Sequence, residues 1–488
     1  MTQIDTSKAK AQPPSSPATQ LTTKQLTGII TALALAAFLM ILNETVLTVA
    51  LPAIMADLQV TAAAGQWLTT GFLLTMSVVI PTTGFLLQRF STRSLFIFAL
   101  LSFLVGLVLA IFAPNFATLL IARIIQAVGT AIVLPLLMTT TLSLVPVHRR
   151  GAVMGLNSIV ISVGPAIGPT VSGAIVNAFS WHMIFVFMTP LALLILAVGL
   201  VFIKLPSTAR KLPVDVPSVI LSAIAFGFLV YAISSLSGIT EHPILTLVYF
   251  AIALIGLTLF VFRQIKLTAQ GRELLNLMPF TNRNFTLSVL VIMIAMGTLL
   301  GTVVLVPILL ESGAGLSTLS IGMMLLPGGL VQAFASPIFG RVYDRFGPRP
   351  VLIPGAVLLA AGQWLYLFTA NAQAELWVFM INHMVFSAGL ALLMTGLLSS
   401  ALATVEPRLY GHGSAIFNTG QQLGGAIGTT IFVTVMTMLA DGHLAQGSPL
   451  GQALFSGAHT AFLIGTILTT ACIALVPFIK IDRRSAAS

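Results

Sequence analysis

Long, continuous apolar runs recur along this chain and constrain its fold more than any other feature. Each run is long enough to cross a bilayer as a helix, which needs about 20 residues. Strands of a membrane barrel would instead be about ten residues long and alternating. The sequence therefore predicts an all-α membrane protein with fourteen spans, at residues 27–51, 66–87, 94–113, 117–143, 152–176, 183–204, 216–237, 243–262, 285–310, 319–340, 349–369, 376–404, 413–439 and 458–480.

Composition supports lipid as the solvent for much of this chain. Charged residues make up 7% of the 488 residues, whereas a soluble domain carries about 25%. The net charge of +10 would suggest nucleic acid in a soluble protein. In a membrane protein it indicates cytoplasmic loops instead, because Lys and Arg accumulate there, and we expect no nucleic-acid partner.

The positions of the basic residues test the number of spans. With the amino-terminal tail in the cytoplasm, every one of the 22 basic residues except Arg123 falls in a cytoplasmic loop or tail. Removing or adding one span would move basic residues to the external side from that point on. The positive-inside rule thus predicts both ends in the cytoplasm. The external loops contain acids instead, namely Asp57, Glu241, Glu375 and Asp441.

The two ends of the chain are predicted to be short tails. Residues 1–26 are rich in Pro, Ser, Thr and Ala, a composition typical of disorder, and residues 481–488 form the other tail. The first apolar run is too long for the core of a signal peptide, so we expect it to remain as the first helix. The single cysteine, Cys472, excludes an intrachain disulfide.

An internal repeat divides the spans into two sets. The segment Gly84–Arg93 resembles Gly340–Arg349, with an offset of 340 − 84 = 256. The segment Gly164–Gly168 resembles Gly424–Gly428, with an offset of 424 − 164 = 260. Such repeats are typical of secondary transporters. We predict a six-helix bundle at 27–204, two inserted helices and a loop at 205–284, and a second six-helix bundle at 285–480.

Several segments resemble motifs of the major facilitator superfamily, specifically its fourteen-helix drug:proton antiporters. The loop motif after the second span is nearly complete in its second copy, whereas in the first copy Gln88 replaces the acid and Ser91 the second glycine. The end of the first span, residues 42–52, and Arg123 with Gln126 and Gly129 match two further motifs. The resemblance implies two bundles that rock around a central cavity, and export of compounds in exchange for protons. The residues of the two loop motifs are Gly84, Gln88, Arg89, Arg93, Gly340, Asp344, Arg345, Gly347 and Arg349.

Glu44 is the only acid well inside an apolar span. A carboxylate is costly in a desolvated site, so binding a proton becomes accessible near neutral pH. A proton-coupled carrier needs such a group, and the charged form can also attract a cationic substrate. The alternative is a static partner that neutralises an arginine.

Arg123 is the only basic residue inside a span, and its depth matches that of Glu44. Each lies about 7 residues from the outer end of its helix, roughly 10 Å below the surface at 1.5 Å per residue. The hypothesis is that Arg123 stabilises the charged form of Glu44 in one conformation and separates from it in the other. A structural ion pair between the two helices is the alternative.

The fifth span carries the motif that the resemblance identifies with antiporters. Its glycines allow close helix approach and its prolines bend the helix, so a seal or hinge between the halves is expected. Ordinary small-residue packing is the alternative. The motif residues are Gly164, Pro165, Gly168, Pro169 and Gly173. In the loop motifs, Asp344 can pair with arginines or cap a helix start, whereas Arg89 and Arg93 can serve topology alone.

Other polar and aromatic residues in the spans are weaker candidates. Glu311 is a possible second acid, although a solvated helix end is the simpler interpretation. His383 and His459 are interpreted as core histidines with satisfied hydrogen bonds. Amides inside spans are better placed in a cavity than in lipid. The predicted lining of a substrate cavity is Asn43, Trp67, Phe72, Met76, Asn157, Asn418, Gln421 and Gln422.

The sequence favours an ion-driven transporter over an enzyme. It contains no phosphate-binding loop of the Gly-x-x-x-x-Gly-Lys-Ser/Thr type, no metal-ligand cluster and no nucleophile elbow. We expect no cofactor. The expected partners are protons, lipophilic small molecules and membrane lipid. The protein is expected to be a monomer in the plasma (inner) membrane. Three alternatives remain open: a proton-coupled nutrient symporter, a lipid translocase, and a non-transporting receptor or channel.

Overall fold

The computed structural model describes residues 22–146, 149–205, 215–238, 243–371 and 373–479, and nearly all of them are helical. The predicted tails fall outside these residues except for 22–26, where the prediction of disorder is wrong. The side chains and backbones of Thr22 and Gln25 form a capping box that starts the first helix at Thr23, satisfying its first free backbone N–H groups. The helices are α1 Thr23–Asp57, α2 Ala62–Val79, α3 Thr83–Arg89, α4 Thr92–Ile111, α5 Phe116–Leu144, α6 Arg150–Ala178, α7 His182–Phe202, α8 Val216–Ser234, α9 Pro243–Thr268, α10 Arg283–Ile308, α11 Thr318–Phe346, α12 Arg349–Thr369, α13 Leu376–Leu402, α14 Tyr410–Ala445 and α15 Leu450–Leu475.

Each predicted span coincides with one helix, or with α2 and α3 joined by the short turn Ile80–Thr82. Among the described residues, 13 helical segments are long and apolar enough to cross a membrane. The span predicted at 152–176 corresponds to α6, a 29-residue helix that is not one of the 13. Fourteen spans with both ends in the cytoplasm therefore stay a prediction, whereas the all-α membrane architecture is confirmed.

The last helix hairpin differs from its predicted boundaries. Helix α14 continues to Ala445, and α15 begins at Leu450 rather than near residue 458. The first turn of α15 packs closely on the turn after α10, where a Cβ at Gly451 would lie 2.4 Å from the carbonyl oxygen of Gly313. The stretch 440–457, which was expected to be an external loop, is mostly helix.

The helices pack as two groups with a pair attached. Helices α1, α2 and α4–α7 pack on one another, as do α10–α15, and α8 packs on α9 and α2. The two groups meet where α6 lies along α11 and where α14 touches α3 and α5. At one end of the bundle Asp344 contacts Gly151, and Gly84 contacts His412. The arginine-bearing loops lie at the same end. We call this end the basic face.

Candidate functional site

The Arg123 side chain lies buried at the centre of the amino-terminal helix group, with 1% of its surface exposed. Its Nη1 donates to Gln126 Oε1 (2.9 Å) and to the backbone oxygen of Asn43 (3.3 Å). The guanidinium carbon lies 4.2 Å from the ring centroid of Phe72, an arrangement that favours a cation. Its Nε has no hydrogen-bond partner. A buried guanidinium held only by neutral groups is poised to accept a carboxylate.

Glu44 lies beside this cluster without completing an ion pair. The bond from Arg123 to Asn43 places α1 and α5 at a common level, as the sequence predicted. Glu44 is partly exposed although it is well inside α1, and it is close enough to Arg123 for their charges to interact. Between these two described residues no nitrogen–oxygen contact within 4.0 Å is found. In this conformation the two groups are near each other without direct contact.

The predicted lining of a cavity is only partly brought together. Asn43 is buried and donates from Nδ2 to Gln126 Oε1 at 3.0 Å. Phe72 and Met76 are fully buried, and Met76 sulfur lies 3.6 Å from Gln422 Nε2 across the two helix groups. Asn43, Phe72 and Met76 are thus packed against other side chains in this conformation.

A small void lies between the helix groups on the side of the basic face. It has about 10 Å³ of water-sized space, which is near the limit for one water molecule. No organic substrate fits there, so this side of the protein is closed. The predicted residues Asn418 and Gln421 line it together with Met138, Met154, Met394, Leu398 and Phe417.

Two predicted cavity residues lie elsewhere. Trp67 is 39% exposed and stacks on Tyr231 of α8, with ring centroids 5.7 Å apart. Asn157 is buried and donates from Nδ2 to Thr141 Oγ1 at 3.1 Å, joining α6 to α5. A tryptophan has both polar and apolar surface and suits either a cavity lining or a contact between helices. The sequence alone therefore did not distinguish these two positions for Trp67.

Asp344 forms the first of two contacts that hold the helix groups together at the basic face. Its carboxylate accepts from the backbone N–H groups of Gly151 (2.6 Å) and Ala152 (2.8 Å) at the start of α6. The start of a helix carries free N–H groups and partial positive charge, so a carboxylate is stabilised there. The helix cap that the sequence allowed is thus formed across the two groups.

Gln88 forms the second contact, at the equivalent place of the other repeat. Its Nε2 lies 2.7 Å from Nε2 of His412 on α14, and it donates weakly to the backbone oxygen of Arg408 at 3.5 Å. A Cβ at Gly84 would lie 2.5 Å from His412 Nδ1. This contact is thus made by neutral side chains, whereas the first contact is made by the carboxylate of Asp344.

The loop after α9 reaches the same histidine. The backbone N–H of Asn276 donates to His412 Nδ1 at 3.2 Å. Gln264 of α9 holds the loop, because its Oε1 accepts from the N–H groups of Leu274 (2.8 Å) and Leu275 (3.1 Å). The motifs do not point to Gln264, Asn276 and His412. The signal available in the sequence was a glutamine and a histidine at the ends of two apolar runs.

An ion pair fastens α8 to α9 at the other end of this network. The carboxylate of Asp215 accepts from Nε and Nη2 of Arg263, each at 2.7 Å. The Arg263 guanidinium lowers the pKa of Asp215 to about 2. Gln264 Nε2 also donates to Ser218 Oγ at 2.8 Å. The inserted helices therefore reach the basic-face contacts through a continuous chain of polar groups.

The remaining motif residues have simpler surroundings. A Cβ at Gly164 would lie 2.8 Å from Ile41, and one at Gly168 would lie 2.2 Å from Thr45, so both glycines seat α6 on α1, whereas Gly173 has open space. The backbones of Pro165 and Pro169 belong to α6, but their side chains lie outside the described residues.

Glu311 is exposed in the π-helical turn after α10, and His459 is exposed on α15. Arg93 is half-buried, and Arg345 and Arg349 are exposed. The guanidinium carbon of Arg89 lies 6.0 Å from the centroid of the Phe85 ring. Gly347 ends α11 with φ of 88°, a conformation that favours glycine.

Known proteins share both sequence and fold with this chain. The family model described as the Major Facilitator Superfamily matches residues 33–429. An uncharacterized MFS-type transporter of Bacillus subtilis is 37% identical over 93% of this chain and 93% of its own. A lincomycin resistance protein of Listeria monocytogenes is 35% identical over 92% of this chain and 95% of its own. A multidrug resistance protein B homolog of Mycobacterium tuberculosis is 28% identical over 81% and 73%.

Solved structures agree on the fold. The proton:xylose symporter XylE superposes with a TM-score of 0.66 at 15% identity, covering 94% of this chain and 97% of that one. The human organic anion transporter MFSD10 gives 0.63 at 16% identity, covering 94% and 100%. This chain is a multi-pass membrane transporter and belongs to the major facilitator superfamily.

Proposed function

We propose that this transporter exports lipophilic, often cationic, compounds across the plasma membrane in exchange for protons. The observation that carries the proposal is Glu44. It is a single carboxyl group well inside the membrane-spanning helices of the described residues, beside a buried arginine that does not pair with it in this conformation. The relatives named for lincomycin and multidrug resistance support the substrate class.

The coupling follows from two arrangements of one pair. When Arg123 and Glu44 are apart, the carboxyl group lacks a cationic partner and is less costly in its neutral, protonated form. When they meet, the guanidinium stabilises the carboxylate and the proton leaves. A rocking motion of 27–204 against 285–480 alternates these arrangements and carries substrate the opposite way. For each pH unit of the gradient, one coupled proton supplies about 1.4 kcal/mol. This energy corresponds to about tenfold accumulation of substrate.

The closed basic face gives the proposal a direction. With Asp344 and Gln88 in their contacts, the void near Gln421 excludes any substrate. Release from this conformation is therefore toward the other face. The chain acts as a monomer in this proposal, since each helix group supplies its own half of the central contacts.

The test uses inside-out membrane vesicles with wild type, Glu44→Gln or Glu311→Gln. Uptake of a fluorescent lipophilic cation is followed while an acid-inside pH gradient is imposed and then collapsed. We expect gradient-driven uptake in wild type and in Glu311→Gln, whose carboxyl is exposed at a helix end, and none in Glu44→Gln. Uptake that survives Glu44→Gln would place the coupling elsewhere. Substrate and protons moving in the same direction would indicate a symporter instead, and transfer of labelled lipid alone would indicate a lipid translocase.

A further inference from the structure

The repeat sets α5 and α13 in a common register. Helix α5 begins at Phe116 and α13 at Leu376, an offset of 376 − 116 = 260. Gly129 and Gly389 obey the same offset, and each lies against the preceding helix of its own group. A Cβ at Gly129 would lie 2.4 Å from the Ala99 oxygen, and one at Gly389 would lie 2.2 Å from the Leu359 nitrogen. The contacted residues also differ by 359 − 99 = 260, so the packing repeats as well as the sequence.

This register places His383 where the other half has Arg123, because 123 + 260 = 383. The contacts repeat too. Arg123 lies over Phe72 of α2, and with the offset of 256 for α2 and α11 the counterpart of Phe72 is Gly328. The imidazole of His383 packs on Gly328, where a Cβ would lie 2.3 Å from its Cδ2. The glycine makes room for an imidazole at the place where a phenyl ring faces the guanidinium.

His383 is buried, with 6% of its surface exposed, and its Nδ1 has no hydrogen-bond partner. The expectation of a satisfied core histidine is therefore wrong. A buried ring nitrogen without a partner is costly, and a structural histidine would be expected to have one. A ring nitrogen without a partner can instead take up a proton without breaking a hydrogen bond.

No charged group faces this imidazole among the described residues of the helices that pack on α13. On α11 and α12 the charged groups stand toward the basic face, at Arg341, Asp344, Arg345 and Arg349. On α6, α10 and α14 the charged or titratable groups also stand toward helix ends, at Arg150, Arg283, Tyr410, His412, Asp441 and His443. Tyr343 lies near the end of α11 and bonds Ser400. Tyr366 of α12 lies near this level, with its ring stacked on Phe462.

The carboxyl half of the coupling pair is absent from the second repeat. Gly168 packs on Thr45, and its counterpart Gly428 packs on Gly297, which gives α1 and α10 an offset of 297 − 45 = 252. The counterpart of Glu44 is then residue 44 + 252 = 296, a methionine. Among the described residues, His383 and Tyr366 are then the ionisable side chains near the centre of the carboxyl-terminal half, and of the two only a histidine ordinarily titrates near neutral pH.

We propose that His383 is a second proton-binding residue of the transport cycle, so that two protons move per substrate. This rests on the proposed proton-coupled export. In the conformation seen here the imidazole is neutral, because a charge would be buried without an acceptor. The imidazole takes up the proton when α11 and α13 move apart, because Gly328 of α11 covers its Cδ2–Nε2 edge in this conformation. Pro327 interrupts the hydrogen bonds of α11 beside Gly328, and the same helix carries Asp344 at its end, so a charge at His383 favours release of the basic-face contact.

The first test measures the accumulation ratio rather than the rate. Proteoliposomes with the membrane potential clamped at zero receive a pH gradient of about one unit, and the steady-state ratio of a lipophilic cation is read. With two coupled protons the ratio is about tenfold higher than with one. We expect His383→Gln to lower the ratio about tenfold and the exposed control His459→Gln to leave it unchanged. A variant that is slower but reaches the wild-type ratio would show a structural role only and overturn the proposal.

The second test does not depend on transport. Purified protein with isotope-labelled histidine is titrated by NMR in the Asp344→Asn background, which loosens the basic face. The His383 resonance is identified by its loss in His383→Gln. We expect it to change protonation between about pH 5 and 8, whereas an imidazole that stays neutral throughout overturns the proposal. If wild type shows no gradient-driven uptake, export itself fails, and this titration still decides whether His383 takes up a proton.

Discussion

Asp344→Asn should open the basic face, and the effect can be estimated from its geometry. The wild-type carboxylate accepts two backbone N–H groups, at 2.6 and 2.8 Å, at the start of α6. Hydrogen bonds to charged groups contribute about 1.5–3 kcal/mol, against about 0.5–1.5 for neutral ones. Asparagine keeps one acceptor and loses the charge. Because the side chain is only half-buried, we take the lower end for the two charged bonds, about 3 kcal/mol, and subtract about 0.5–1.5 kcal/mol for the one neutral bond that is kept. The difference of about 1.5–2.5 kcal/mol is a shift of roughly ten- to seventyfold toward the open conformation.

Thiol labelling reads this shift directly. The single cysteine, Cys472, is fully buried and can be replaced by serine as a background. Leu398→Cys then places a thiol in the void of about 10 Å³, which a maleimide cannot enter while the face is closed. We expect Asp344→Asn to raise the labelling rate about tenfold or more, and Asp441→Asn, on the opposite face, to leave it unchanged. Equal rates in all three proteins would refute the assignment of Asp344 as a latch.

Two further predictions concern stability, measured as thermal unfolding of the purified protein in detergent. Gly428→Ala should destabilise by about 1–3 kcal/mol, because its Cβ would lie 2.1 Å from the Gly297 carbonyl oxygen, whereas Gly173→Ala meets nothing within 4 Å and should change little; similar midpoints for both would contradict the packing argument. For Asp215, a pKa held at about 2 means that its stabilising pair with Arg263 is fully present above the ordinary aspartate range. The advantage of wild type over Asp215→Asn should therefore be constant from neutral pH to about 5 and decline as pH falls toward 2, and an advantage that grows with acid would exclude this ion pair as its source.

Hydropathy and the repeat predicted the helices because both are properties of local sequence. The level shared by Arg123 and Asn43 of α1 also followed, since helix rise converts residue counts to depth. The contacts at His412 did not follow. They join Asn276, Gln88 and His412, which are 136 and 324 residues apart along the chain, and depend on how two helix groups meet rather than on any one helix. The contact of Trp67 with Tyr231 of α8 did not follow either, because it depends on where the inserted helices pack.

The two repeats share the arginines of their loop motifs, since Arg89 and Arg93 correspond to Arg345 and Arg349, but they differ at two other places where one copy carries charge. At the basic face one half uses the carboxylate of Asp344 and the other the neutral pair of Gln88 and His412. In the membrane interior one half has Glu44 with Arg123 and the other has His383 facing a glycine. At the basic face His412 lies where the other copy presents the backbone of α6. In the membrane interior His383 lies where the other copy has Arg123, whose charge is fixed near neutral pH. In the proposed proton exchange, halves with different groups can respond to a proton in sequence, and such an order is needed if substrate and proton are to occupy the protein at different times.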